Sequence, residues 1–321
     1  MPKTLISLSD FQDAQQRLSP FLRRTPVHLS HTLSLKFGFP VHLKLELFQK
    51  TGSFKPRAAF NRMLRFNAHE KARGVVAVSG GNFAQGVAFA GQTLGVQVAL
   101  CMPEGAPKKS VEAAQSYGAS VELFPDIKSA FAAAERLREA GRVFIHPFDE
   151  PDVVAGNGSL GLELLEDVPE ATALIVSVGG GGLMAGVIQA VKAVKPVLRV
   201  FTVETEGADA LDRAMRAGKV VEMTPTSLAK TLGAPFVSAT ALAVAQTHVE
   251  RHVLVSDREA FEAQRFLLER TKVLAELSAA CTLAAAEKIR GALTPADHLV
   301  LILCGGNVSL EDLAGYRERF G

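Results

Sequence analysis

The sequence predicts an α/β protein with two open, mostly parallel, twisted sheets flanked by helices. Three observations carry this. Short β-branched runs alternate with amphipathic stretches of 10–15 residues, the signature of βαβ units. The alternation breaks near His146–Pro151 and then restarts. Several strand-like runs end in glycine clusters that lead into a new helical pattern.

In order, the strand VHLKLEL (41–47) precedes FQKTGSFKPRAA (48–59), where Ser53 is expected to cap a helix opening on Lys55 and Pro56. GVVAVS (74–79) reads as a buried strand, followed by a helix that Gly95 ends. VQVALCM (96–102) is the next strand, and the helix after it closes at Gly118. ASVELF, a helix from about 126 to 140 and RVFIH complete the first series. After PFDEPDVVAG come a helix to about Leu165, the strand ALIVSV (173–178), GGGG and a helix to about Val194. VLRVFTVE, HVLVS (252–256), helices near 257–272 and 276–290, and HLVLILC (298–304) finish the second series.

Composition narrows the class of function. The 321 residues can bury a sizeable core, as one large domain or two modest ones. With 35 basic against 33 acidic residues and no basic stripe, neither nucleic acid nor an anionic membrane is an expected partner. The N-terminal segment MPKTLISLSDFQDAQQRL has no apolar leader, and no run of 18 apolar residues occurs. Cys101, Cys281 and Cys304 lie far apart, which argues against a disulfide framework or a cysteine-rich zinc site. The eight histidines show no metal-ligand spacing, and His146 and His252 read as structural. A soluble cytoplasmic protein is the expectation.

Four segments are candidates for chemistry. Lys55 stands at a strand-to-helix junction, where side chains point toward a cleft. In VSGGNFAQG (78–86), Gly80 and Gly81 let a ligand approach the backbone at a helix N-terminus, although a tight βα turn reads equally well. In SVGGGGLMAG (177–186), four glycines make a row of N–H donors suited to a phosphate, at an entropy cost a mere turn does not justify. In LILCGGNVSL (301–310), Cys304 ends a buried strand at the carboxyl edge of a sheet, where ligands bind. Gly180, Gly182 and Ala185 also spell G-x-G-x-x-A, with Glu204 ending the next strand. This keeps an NAD-dependent oxidoreductase open as a rival, but one that leaves the Lys55 and Asn82 segments unexplained.

Together FQKTGSFKPRAA, SGGN, VGGGGLMAG and CGGN resemble, in order and spacing, the fold type II pyridoxal-phosphate enzymes, whose fold is like that of the tryptophan synthase β chain. The similarity runs from about Pro20 to Phe320, and within the family it points to serine/threonine dehydratases and the related serine racemases. ETEGADALDRAMRAGKVVEMTPTSLAKTLGA (204–234) is most similar to the serine dehydratase branch. The resemblance implies a large cofactor-binding domain (1–57 and 147–321), a small substrate-binding domain (58–146), and a homodimer.

It also implies roles. Lys55 would carry pyridoxal 5'-phosphate as a Schiff base and then remove the substrate's α-proton, which requires a neutral amine. Phe54 and Thr231 would flank the ring, Asn82 would meet its oxygen, and Gly179, Gly180, Gly181 and Gly182 would hold the phosphate. Cys304 would face the pyridine nitrogen. Ser79 and the backbone of Gly80, Gly81, Asn82 and Phe83 would grip the substrate carboxylate. The implied reaction is α,β-elimination of water from L-serine or L-threonine, giving a 2-keto acid and ammonia. Racemases of the family carry a serine where this chain has Gly80, so racemisation is disfavoured. Phe83 replaces a smaller or polar residue. It either packs in its helix or lines the pocket for a bulkier substrate such as phenylserine; hydroxyaspartate is a further alternative. Glu204 and the Ala208 carbonyl match part of a cation site whose third position is Ala210, which favours K+ over a divalent ion. A binding protein that kept the fold and lost the chemistry is the non-enzyme alternative, and the presence of Lys55 speaks against it.

Overall fold

A computed structural model describes residues 6–321. Residues 1–5, the start of the segment read as lacking an apolar leader, lie outside the described residues.

The first elements are α1 (Leu8–Leu18), β1 (Val27–Leu29), α2 (His31–Phe37) and β2 (Val41–Lys44). Two 3₁₀ turns lead to α3 (Lys55–Met63), α4 (Ala68–Arg73) and the four-stranded series β3 (Val75–Val78), α5 (Asn82–Leu94), β4 (Val98–Pro103), α6 (Lys108–Ser116), β5 (Ser120–Phe124), α7 (Ile127–Glu139) and β6 (Val143–Phe144). The chain returns through α8 (Pro151–Asp167), β7 (Ala173–Ser177), α9 (Gly182–Val194), β8 (Arg199–Thr205), α10 (Ala210–Ala217) and α11 (Ala239–His248). It ends with β9 (Arg251–Val255), α12 (Asp257–Phe266), α13 (Leu277–Ile289), β10 (Leu299–Ile302) and α14 (Leu310–Phe320).

Two sheets result, as the alternation predicts. One has the order β1-β2-β10-β7-β8-β9, the other β5-β4-β3-β6. Every pairing is parallel except the edge pair β1–β2. Strands β7 and β10 are buried along their whole length, which is why their sequences run apolar without alternating, whereas β2, equally buried, alternates as VHLK. At the outer edge β5 alternates and stays largely exposed.

The differences from the sequence expectations have local causes. The strand expected over 41–47 leaves the ladder after Lys44, where Leu45 adopts φ −96°, ψ 66° and starts a 3₁₀ turn. The helix expected to reach 272 ends its α geometry at Phe266, widens into a π turn over Leu267–Thr271 and stops at Lys272 with φ +62°. Ser53 does not cap α3: it is extended (φ −162°, ψ 167°), bridges to Gly305, and leaves its buried hydroxyl without a partner. Among the described residues, no helix is long and apolar enough to cross a membrane.

Candidate active site

Backbone pairing sets the position of Lys55. The Phe54 N–H donates to the Cys304 carbonyl (3.0 Å), so the start of α3 is pinned to the carboxyl end of β10. Helix α5 crosses the same point at Gly86, where a Cβ would stand 3.0 Å from the Lys55 carbonyl carbon; only glycine admits this approach. The Lys55 Nζ then lies 4.8 Å from the Phe54 ring centroid and 5.5 Å from that of Phe83. Burial pushes this amine down to about 8, against the raising influence of Cys304 and Glu276.

The glycine row forms the opposite wall. Helix α9 starts at Gly182 without a capping side chain, so its first N–H groups face the cavity unpaired. Gly181 has φ +91°. A Cβ at Gly180 would meet the Phe148 ring at 2.2 Å, and one at Gly182 would meet the Phe148 backbone at 2.9 Å. The cradle therefore exists only without side chains. An anion fits there on charge and on donors.

One cavity is lined by Phe54, Lys55, Asn82, Gly179–Gly182, Thr231, Glu276 and Cys304. A second, of about 350 Å³, shares Lys55, Asn82, Gly180, Thr231 and Glu276 with it. Ser79, Gly80, Gly81 and Phe83 line this outer space. The structure thus gathers every predicted cofactor and substrate residue around one cleft. Phe83 meets both readings: it is buried in the core beneath the four-stranded sheet, and its ring also borders the cavity.

Glu276 was missed by sequence reasoning. It is buried, and its carboxylate accepts from the Asn82 amide (3.0 and 3.2 Å) and the Thr231 hydroxyl (2.9 Å). The Asn307 amide donates to Asn82 Oδ1 (2.8 Å) and to the Thr51 carbonyl (2.8 Å). Burial raises the Glu276 carboxyl, while bonds from Thr231 and Asn82 and the charge of Lys55 oppose this. A lone acid between VLA and LSAACTLAAA was the available signal. Cys304 contacts the Ser177 hydroxyl at 3.5 Å, and burial, with Glu276 nearby, pushes its thiol up to about 12. It is therefore a neutral group at neutral pH.

Glu204 and Ala208 lie apart from this cleft lining. Both Glu204 oxygens accept backbone N–H groups at the start of α10, from Leu211 (2.9 Å) and Asp212 (3.0 Å). His252 Nε2 stands 3.1 Å from the same carboxylate. In the lining of the outer cavity, Lys109 of α6 pairs with Asp312 of α14 at 3.0 Å, both side chains about one-third exposed.

Comparison with known proteins agrees with this arrangement. The family described as "Pyridoxal-phosphate dependent enzyme" matches residues 18–305. An L-threonine ammonia-lyase of Thermotoga maritima is 37% identical over 310 residues, covering 95% of this chain and 77% of that one. A phenylserine dehydratase of Ralstonia pickettii is 38% identical over 322 residues, covering 99% and 97%. The structure of maize serine racemase superposes with a TM-score of 0.91 at 31% identity, covering 98% of each chain.

Proposed function

The chain belongs to the pyridoxal-phosphate-dependent enzymes, and from that premise we propose that it is an ammonia-lyase eliminating water from a β-hydroxy-amino acid, L-serine or L-threonine. The observation that carries the reading is the half-buried Lys55 amine, pushed down to about 8 by desolvation, which lines one cavity together with the glycine cradle.

Bound pyridoxal phosphate supplies an electron sink that makes the α C–H bond acidic. The Gly179–Gly182 backbone and the N-terminus of α9 would hold its phosphate, and Lys55 would hold its reactive carbon. Cys304, as a neutral thiol, would sit beside the ring without adding charge. Ser79 and the N–H groups at the start of α5, which no side chain caps, bind the substrate carboxylate. Once the substrate amine had displaced it, the freed Lys55 Nζ would take the α-proton, which its lowered pKa permits near neutral pH. On the opposite face Gly80 offers no proton donor; its nearest neighbours are Ala106 and Pro103 carbons. Loss of water and hydrolysis then give a 2-keto acid and ammonia.

A second reading within the same chemistry is a substrate with an aromatic β-substituent. Phe83, Ile127, Phe131, Phe148 and Leu228 give the outer cavity an apolar wall, and a phenylserine dehydratase is among the relatives. Residues 1–57 with 147–321 then serve as the cofactor-binding domain and 58–146 as the substrate-binding domain of a cytoplasmic homodimer. A K+ ion at Glu204 and the Ala208 carbonyl has to share the carboxylate with the Leu211 and Asp212 N–H groups.

The purified protein is expected to show a visible absorbance band that Lys55→Ala abolishes, and to release keto acid from L-serine, L-threonine or L-threo-phenylserine. A protein that gains no band in excess pyridoxal phosphate refutes the proposal. The ranking of the three substrates decides between the two readings.

A further inference from the structure

Two imidazoles from opposite ends of the sequence meet at the end of the six-stranded sheet away from the cleft. His42 lies in β2, and His298 immediately precedes β10. The parallel register sets Val300 beside His42, so His298 falls two residues earlier on the same face of the sheet. The rings are 5.8 Å apart, inclined at 22°. His42 is only 7% exposed, and its Nε2 is buried without a hydrogen-bond partner; the same holds for Nδ1 of His298. Glu170, in the connection between α8 and β7, brings Oε1 to 3.9 Å from His298 Nδ1. The donor atoms of all three residues lie within 4.8 Å of one another.

A buried, unpaired ring nitrogen is costly, and here two imidazoles that each carry one lie together beside a carboxylate. We propose that His42, His298 and Glu170 form a site for one divalent transition ion of the Zn²⁺ class. Two imidazoles and a carboxylate, with the fourth position left to water, suit zinc, whereas Mg²⁺ and Ca²⁺ take oxygen donors. Bonds of ~2.1 Å set tetrahedral donors roughly 3.4 Å apart. Glu170 is half-exposed and gives the ion access from solvent. His298 precedes Cys304 by six residues, about 20 Å along an extended chain. The ion therefore ties β2, β10 and the α8–β7 connection together without taking part in the cleft chemistry.

The test uses chelator-stripped, cofactor-loaded enzyme titrated with Zn²⁺ by calorimetry, with elemental analysis and thermal unfolding alongside. One equivalent per chain at micromolar affinity or tighter, with a raised Tm, is expected. Outer-sphere partners of a metal are worth about 10–100-fold in affinity, so loss of a direct ligand in Glu170→Gln or His298→Gln should cost about 100-fold or more. The cofactor's visible band and keto-acid release should be unchanged in both variants. Absence of an equivalent in the wild type, or an equivalent that both variants retain, overturns the proposal. If His298→Gln folds poorly, the half-exposed Glu170→Gln decides alone.

Discussion

Replacing Arg57 with methionine should destabilise the fold strongly, and by an amount that depends on pH. Arg57 is 1% exposed. Its guanidinium donates to both oxygens of Glu46 (2.8 and 2.9 Å), to both of Glu163 (2.8 Å each) and to Ser159 (3.1 Å). Methionine fills most of the space but leaves two buried carboxylates. Glu163 keeps Lys44 at 3.1 Å, whereas Glu46 keeps only the Thr25 hydroxyl. One uncompensated buried charge costs about 3–5 kcal/mol, a factor of roughly 10²–10⁴ in the folded-to-unfolded ratio. Urea unfolding should show a lower midpoint at an unchanged slope. Burial raises the Glu163 carboxyl, but Arg57 and Lys44 outweigh it and hold the group below its ordinary value. Such a group stabilises the wild type above the unfolded-state pKa, about 4.3, and that stability is lost as pH falls through the folded one. The deficit of the variant should therefore be fully present near neutral pH and shrink only as pH falls below about 4.3. Arg57→Met/Glu46→Gln/Glu163→Gln should recover most of the loss. A deficit below about 1 kcal/mol, or one equal in both pH ranges, would refute the reasoning.

Three further outcomes follow from the cleft. In the apoenzyme, Lys55 titrates at about 8 against an ordinary 10.5. Between those values the unfolded chain holds the extra proton, so stability should rise with pH, by at most about 3 kcal/mol. Apo Lys55→Met should lack this slope, and equal slopes in both proteins would contradict it. Gly182→Ala places a Cβ 2.9 Å from the Phe148 backbone and should weaken pyridoxal phosphate binding at least about tenfold; unchanged affinity in a titration of the visible band counts against the cradle. In Gly80→Ser the Cβ meets Ala106 and Pro103 at 3.3 Å, which small shifts accommodate. D-serine should then form from L-serine where the wild type makes none, and a folded, cofactor-loaded variant that forms none would defeat the single-face argument.

The alternation of strand and helix was legible because the central strands β3, β7 and β10 have apolar runs that end at glycines, as in GVVAVSGG and ALIVSVGGGG. The cleft was legible for the same reason, since its residues sit at those strand ends. What escaped was burial of charge. Periodicity reads Arg57, Glu46 and Glu276 as solvent-facing, whereas tertiary pairing makes them interior. Spacing along the chain also conceals His42 and His298, which only the β2–β10 register brings together. Ser53 followed the rule for a helix cap, but Phe54, already helical, takes the cap position of α3, while Ser53 bridges to Gly305.

The Lys109–Asp312 pair joins a helix of the four-stranded unit to the last helix of the chain, above the cavity. Partly exposed pairs of this kind are worth only about 0.2–1 kcal/mol and are screened by salt. The two helices are thus tied beside the cavity by a clasp that thermal motion undoes readily, and whose grip loosens as ionic strength rises. That tie would then respond to the salt of the surroundings, while the buried groups of the cleft do not.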